Sequence, residues 1–451
     1  MKKTLLLISY NFHPEPTGIG KYNGEMISWF VSQGYDCTVV TSYPYYPHWK
    51  VQEPYFKRRF LYTVEKSTDT NSGGSLKIYR CPQYVPSKPS GLKRVILDLT
   101  FFMSATLPLL RLLTSKKFDY VLTTAPSFQI GLLGVLFRKL QGSKFLYHIQ
   151  DLQIEAAQDL NLIKSKNIIN VLFKIEKYIL DRCDVISTIS AGMVNKVRSK
   201  TKKDVVLFPN WTDTDSFHPI ENKADLKKSY SYKPSDKIVL YSGAIGEKQG
   251  LEAILNIADQ LRKETDLKFI ICGSGPYKKE LQNLADQLQL QNVNFMPLQD
   301  YSKFNDFLNL ADIHLVIQKA SASDLVMPSK LTTILAVGGL AIITANPGSG
   351  LHTLVQEHNI GVLAEAENTD DLKAAILKVI KEGSDHIRKN ARKYAEHYLS
   401  IDKVLLSYEK NIQKAKSSYS MNVTAGSHRS ISPNSVSKVS TWSSGTAGSK
   451  P

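Results

Sequence analysis

Short apolar runs alternate along the chain with segments whose apolar residues recur at the helical period. Leu5–Ser9, Thr38–Ser42, Tyr120–Thr123, Phe145–Ile149, Val185–Thr188 and Val205–Phe208 read as strands buried on both faces. A second series follows at Ile238–Ser242, Phe269–Cys272, Val293–Met296, Ile313–Ile317, Leu340–Thr344 and Gly361–Leu363. The alternation predicts an α/β fold, and its recurrence predicts two Rossmann-like domains. Between the series, Pro209-Asn210-Trp211-Thr212-Asp213 and Phe217-His218-Pro219 carry turn chemistry without apolar period, which places the interdomain link and a cleft near residues 209–235. The expected domains are residues 1–212 and 213–395, followed by a helix over 396–416 and a tail over 417–451. From Tyr419 to Pro451 the chain is Ser-rich and has no acidic residue, which predicts disorder.

Composition changes this picture in one respect. The chain has 451 residues, 42% apolar and 22% charged, enough for two buried cores. Its net charge of +16 points to anionic partners: nucleic acid, anionic lipid or a phosphorylated substrate. No nucleic-acid module or aromatic-basic repeat is present, so nucleic acid is not expected as a partner. Cys37, Cys81, Cys183 and Cys272 are scattered, which reads as buried reduced thiols in a cytoplasmic protein. Leu5–Ile8 is too short for a signal peptide. Ile96–Leu113 is interrupted by Asp98, Pro108 and Arg111, which argues against a spanning helix. Leu92, Val95, Ile96, Leu99, Phe102 and Met103 nevertheless fall on one helical stripe behind Lys93 and Arg94. That stripe suits an anionic membrane surface, and equally core packing or the wall of an acceptor pocket.

Four segments carry candidate chemistry. The first strand runs into Tyr10-Asn11-Phe12-His13-Pro14-Glu15-Pro16-Thr17-Gly18-Ile19-Gly20, where Gly18 and Gly20 sit at a strand-to-helix turn that admits a ligand close to the backbone. The dinucleotide fingerprint fails there because position 23 is Asn, which disfavours NAD. Ser242-Gly243-Ala244-Ile245-Gly246-Glu247-Lys248-Gln249-Gly250 is a second Gly-rich turn, and Lys248 supplies the cation a diphosphate wants. Gly273 and Gly275 form a third turn at a strand's carboxyl end, where ligands bind in open α/β sheets. In Met327-Pro328-Ser329-Lys330-Leu331, Pro328 and Ser329 mark a helix start whose first turn carries Lys330, a cation set against the helix dipole, which a bound anion would explain. His148 and Asp151 end a strand of the first domain, where they could bind sugar hydroxyls or serve the fold alone. Asp and His are too sparse for a convincing metal site and no H-E-x-x-H motif appears, so no metal is expected.

On these residues the chain resembles the retaining glycosyltransferases of the GT-B fold, family 4, in particular their colanic-acid-type subgroup. The likeness spans residues 1–415 and is carried by Tyr10–Gly20, His148-Ile149-Gln150-Asp151, Ser242–Gly250 and Leu325–Leu331. It implies two Rossmann-like domains facing across a cleft, with the last helix, about Tyr394 to Lys414, crossing back to the first domain. The donor, a GDP- or UDP-linked sugar, would be held by Gly243, Gly246, Lys248, Gly273, Gly275, Asp324, Met327, Pro328, Ser329, Lys330 and Leu331. The acceptor, a lipid-linked saccharide, would meet Gly18, Gly20, His148 and Asp151. Lys248, Lys330 and His148 are the expected catalytic residues, with no cofactor, at the inner face of the plasma membrane. The chain departs from the family pattern in placing Leu325 and Thr333 where paired glutamates are usual, and Ala244 and Gln249 where the phosphate turn usually has Arg and Lys. Rival readings are a sugar-nucleotide epimerase, which needs no acceptor, and a non-catalytic sugar-nucleotide-binding partner, which would bind without transfer.

Overall fold

The computed structural model describes residues 2–159, 163, 165–319 and 328–415. The Ser-rich tail, Asp324 and Met327 lie outside the described residues. Eight strands build the first sheet: β1 (Thr4–Ile8), β2 (Asp36–Ser42), β3 (Thr63–Thr68), β4 (Ser75–Cys81), β5 (Tyr120–Ala125), β6 (Lys144–Ile149), β7 (Val185–Thr188) and β8 (Val205–Leu207). Six build the second: β9 (Lys237–Ser242), β10 (Leu267–Cys272), β11 (Val293–Met296), β12 (Ile313–Val316), β13 (Ala341–Thr344) and β14 (Val362–Ala364). Their spatial orders are β3-β4-β2-β1-β5-β6-β7-β8 and β11-β10-β9-β12-β13-β14. Apart from β3, which pairs antiparallel with β4, every pairing is parallel. Both are doubly wound Rossmann-like sheets, and the strand order reverses between β1 and β5 and between β9 and β12. Ligands of such sheets bind at the carboxyl ends beside that reversal.

The strands buried on both faces coincide with apolar runs, but Val205–Phe208 does not give one: β8 is an edge strand, with Leu207 52% exposed. β3 and β4 were not legible in that way, because the edge strand β3, Thr-Val-Glu-Lys-Ser-Thr, has a single apolar residue and its neighbour β4, Ser-Leu-Lys-Ile-Tyr-Arg-Cys, alternates polar and apolar residues in its first half. Period two, rather than a continuous run, is the signal there.

Helices cover both faces of each sheet. In the first lobe, Leu5, Leu7 and Leu146 pack with the Gly18–Ser32 helix on one side, while Leu6, Ile8 and Val121 pack with the Gly91–Ser115 helix on the other. The last helix, Ile401–Lys414, inserts Val404, Leu405, Tyr408 and Ile412 into the first lobe's core. There Tyr408 stacks on Phe208 at 3.8 Å between ring centroids, with the planes 4° apart. The four cysteines are buried and unpaired.

The Gly91–Ser115 helix is one-sided. Leu97, Asp98, Phe101, Ala105, Pro108, Leu109 and Leu112 are buried, so Asp98 and Pro108, which interrupt the apolar run in sequence, both face the protein. By length and composition this helix could cross a membrane, yet its inner face is packed on the lobe. Leu92, Val95, Ile96, Leu99 and Met103 are exposed, Leu92 and Met103 at 73% each, and Leu107 and Leu110 extend the stripe. They are therefore not core. Phe102, counted on the same stripe from sequence, turns half inward onto the core. Beside the helix, Phe60 (74% exposed), Leu61, Tyr62 and Val64 add a second apolar segment, tied on by the Tyr62 hydroxyl, which donates to the Ser104 carbonyl at 3.1 Å.

Candidate functional site

The turn leaving β9 is built by its neighbours. Gly243 N donates to the Cys272 carbonyl at 3.0 Å and Ile245 N to the Ser274 carbonyl at 2.9 Å, so the turns after β9 and β10 lie against each other. Gly273 and Gly275 are glycines because of that contact: a Cβ at either would stand 1.9 Å from the Gly243 or the Ile245 carbonyl oxygen. Their first role is thus to let the Gly243–Gly246 turn approach. A methyl group at position 275 would have to push the turn away. Gly275→Ala is expected to cost about 1–3 kcal/mol of stability, read by thermal denaturation; an unchanged melting temperature would deny the turn its role.

Gly246 N donates to Gln249 Oε1 at 3.1 Å, so the residue standing where the family pattern has a lysine closes the turn rather than facing a ligand. Lys248 lies in the 3-10 turn Glu247–Gln249, and its side chain lies outside those described. Lys319, just past β12, approaches Gly250 with its aliphatic stem. It is a further cation at the strand reversal, and no sequence motif marks it.

Lys330 opens the Lys330–Ala336 helix, and Ser329 before it makes no side-chain cap. The lysine stem is partly exposed, but Nζ is enclosed, 3.7 Å from the centroid of the Tyr241 ring and beside Gly243, where an added Cβ would come within 3.3 Å of it. Among the described residues Nζ has no hydrogen-bond partner. Burial alone holds its pKa down, to about 7. An enclosed ammonium with an aromatic face and no counter-charge among the described residues is costly and calls for an anion. Tyr241, whose hydroxyl donates to the Ala244 carbonyl at 2.6 Å, is the platform for it, and sequence reading had missed that residue because it looked like one more apolar strand position.

The first lobe presents a polar layer at the carboxyl ends of its strands. Asn23, the residue that spoils the dinucleotide fingerprint, is buried and donates at 3.0 Å both to Ser9 Oγ and to the Asn11 carbonyl, while accepting from Thr124 Oγ1 at 3.2 Å. Glu15 lies beneath Gly20, where a Cβ would collide with its carboxylate, and it accepts from Asn11, Tyr45 N and Tyr46 N. Burial outweighs those donors and lifts its pKa to about 7. Gly18 adopts a φ of +64° facing Tyr46.

His148 is 2% exposed, with Nδ1 3.0 Å from Ser187 Oγ and its ring 4.9 Å from Phe208. Burial drops its pKa to about 3, so the imidazole is neutral at physiological pH. Asp151, just past β6, helps to raise the pKa of Tyr10, whose burial is the larger cause, followed by the charges of Asp98 and Tyr45. Asp98 itself, buried on the membrane-like helix, accepts from Gln153 at 2.9 Å, and burial raises its pKa to about 6.

The predicted residues therefore gather in two groups. Gly243, Gly246, Gly273, Gly275 and Lys330 form one cluster at the β9–β12 reversal, with Pro328, Ser329 and Leu331 flanking Lys330. Gly18, Gly20, His148 and Asp151 lie at the strand ends of the other lobe. The lobes touch where the Tyr22 hydroxyl bonds Thr332, two residues beyond Lys330. Asp213-Thr214-Asp215, a D-x-D spacing that can hold a metal, is spent on a turn: Asp213 accepts from Asp215 N, Ser216 N and Ser216 Oγ. Among the described residues no three His, Cys, Asp or Glu side chains meet as a metal site.

Known proteins match both halves. Residues 17–211 fit the glycosyl transferase 4-like domain and residues 222–398 the glycosyl transferases group 1. The chain is 37% identical over 417 residues to WcaI of Escherichia coli (strain K12), named as a colanic acid biosynthesis glycosyl transferase, covering 91% of this chain and 99% of that one. It belongs to the group 1 glycosyltransferases. Solved glycosyltransferase structures share the GT-B fold. The sucrose-phosphate synthase of Thermosynechococcus elongatus superposes with a TM-score of 0.67 at 16% identity, over 91% of this chain and 98% of that one. Anabaena Alr3699/HepE, in complex with UDP and glucose, gives 0.63 at 11% identity, over 91% and 99%.

Proposed function

We propose that this glycosyltransferase moves a hexose or deoxyhexose from a GDP- or UDP-linked sugar to a lipid-linked saccharide, with retention and without a metal ion, in bacterial exopolysaccharide, capsule or O-antigen synthesis. The observation that carries the reading is Lys330 Nζ, enclosed without a partner among the described residues beside the Gly243 turn. The bond from the sugar's C1 to the diphosphate breaks and one from the acceptor oxygen to C1 forms on the same face; the hydroxyl proton passes to the leaving phosphate. Negative charge accumulates on that phosphate, and a preorganised cation stabilises it more in the transition state than before. Lys330 is the main group for this, with Lys248 on the adjoining turn. His148, neutral and held by Ser187, orients the strand-end layer that faces the acceptor. Kinship to WcaI supports a polysaccharide precursor as acceptor.

Nucleotide release from a panel of GDP- and UDP-sugars, with and without an undecaprenyl-diphosphate-linked saccharide in detergent and with EDTA, tests the reading. Acceptor-dependent, EDTA-resistant release from one donor with a retained anomeric configuration is the expected result; binding of a donor without transfer to any acceptor would favour an assembly partner.

A lipid-linked acceptor would put the enzyme at a membrane. The exposed stripe from Leu92 to Leu110 with Phe60–Val64 is the surface for it, flanked by Lys57, Arg58, Arg59, Lys93 and Arg94. Flotation with phosphatidylglycerol vesicles is expected to carry the protein, and Leu99→Asp with Met103→Asp to cut the bound fraction at least about tenfold. Equal flotation of parent and variant would remove the stripe from the account.

A further inference from the structure

At the opposite, amino-terminal edge of the second sheet lies a cavity of about 510 Å³ that the transfer reaction does not use. Lys223, Arg388, Lys389 and Lys393 line it, against Asp312 and Asp385. Of its two carboxylates, Asp312 is already committed, since its Oδ2 accepts from Lys227 Nζ at 2.9 Å and from Ile238 N at 2.8 Å, while the charge of Asp385 acts on both Lys223 and Arg388. Arg392, which also reaches the cavity wall, is spent on three backbone carbonyls and Glu396. Lys223 and Arg388 are different. Lys223 Nζ donates to the Ala311 carbonyl at 3.1 Å and Arg388 to the Asp312 carbonyl, and among the described residues neither has a carboxylate within ion-pair distance. Two half-buried cations thus face each other with most of their N–H donors unspent. Burial first, then Arg388, lowers the Lys223 pKa to about 8.

A second observation lies behind the same wall. His314 is 1% exposed, and neither ring nitrogen has a partner among the described residues. Its imidazole packs on Gly339, next to the Gly338 of the cavity lining. The charges acting on it are those of Lys223 and Arg388. Crowded cations that outnumber the two carboxylates of the lining, with spare donors, form the complement of a phosphate group, which offers two negative charges and several acceptor oxygens.

We propose that this cavity is a second anion site, separate from the donor turn, that takes a phosphate or diphosphate group through Lys223 and Arg388. The cavity's lining also includes Val337 and Gly338, which end the short helix that begins at Lys330, so the site abuts the donor machinery without sharing a residue with it.

The test uses the full-length protein carrying Lys330→Met, which silences the donor site. Melting is followed with inorganic pyrophosphate against sodium chloride of equal ionic strength. The expected result is a rise of about 4 °C at saturation, lost in Lys223→Met and in Arg388→Gln, two variants that also guard against misfolding of either one. Phosphatidylglycerol vesicles giving the same Lys223-dependent rise in place of pyrophosphate would identify a lipid headgroup as the source of the phosphate. No rise in the parent, or a rise of equal size in both variants, would overturn the site.

Discussion

Lys330→Met is expected to lower glycosyl transfer by about 10²–10³-fold, the loss typical of removing one preorganised donor to a developing oxyanion, and at the same time to raise the melting temperature at pH 7. The two effects have one origin. Nζ is enclosed over Tyr241 with no hydrogen-bond partner among the described residues, so its charge is uncompensated among them. Methionine keeps the stem and the packing and removes the charge. The pH dependence follows from the pKa of about 7 in the folded chain, against about 10.4 in the unfolded one. Between those values the unfolded chain binds the proton that the folded chain has lost, so this lysine makes stability rise with pH through that window. The melting advantage of Lys330→Met is therefore expected to be largest at pH 7 and below and to fade as pH climbs toward 10. A variant that melts lower than the parent at pH 7 would mean that Lys330 holds the fold together, not a ligand.

Arg392→Met is expected to have the largest structural effect, a loss of about 3 kcal/mol, because a part-buried network loses the donor shared by three backbone carbonyls. Its guanidinium donates at 2.7 Å to both the Phe217 and Ala336 carbonyls, at 3.1 Å to the Thr214 carbonyl and at 2.7 Å to Glu396. These bonds join the interdomain link, the end of the Lys330–Ala336 helix and the Asp385–Tyr394 helix. Lysine at this position can reach one carbonyl but not three, so Arg392→Lys should recover only part of the loss. Denaturant melts read the difference directly; a loss below about 1 kcal/mol would show that water replaces the arginine there.

Much of this architecture was legible because strands buried on both faces leave unbroken apolar runs, as in Leu5–Ile8 and Phe269–Cys272. β3 was hidden by its polarity at the sheet edge, and β4 by the alternation of polar and apolar residues. The glycine turns were legible as turns, but the apposition of Gly273 and Gly275 with the Gly243–Ile245 backbone depends on neighbouring strands, which no local spacing encodes. Lys330 stood out in sequence because a cation opposes the helix dipole, whereas its partner Tyr241 did not, being an aromatic residue in an apolar run. Asn23 read only as the break in a fingerprint, yet it ties Ser9, Asn11 and Thr124 into one layer. Asp98 and Pro108 looked like interruptions of an apolar helix, and the fold turns both inward, leaving an unbroken outer stripe.

The account rests on Lys330 receiving the leaving diphosphate, and binding calorimetry of UDP and GDP at pH 8, in two buffers of different ionisation enthalpy, tests it most directly. A lysine whose pKa is about 7 when empty is mostly neutral at that pH and must take up a proton when an anion arrives. The predicted result is that the preferred nucleotide binds with uptake of most of one proton, and that Lys330→Met binds more weakly with no uptake. Tight binding without proton uptake, or equal uptake in parent and variant, would contradict it.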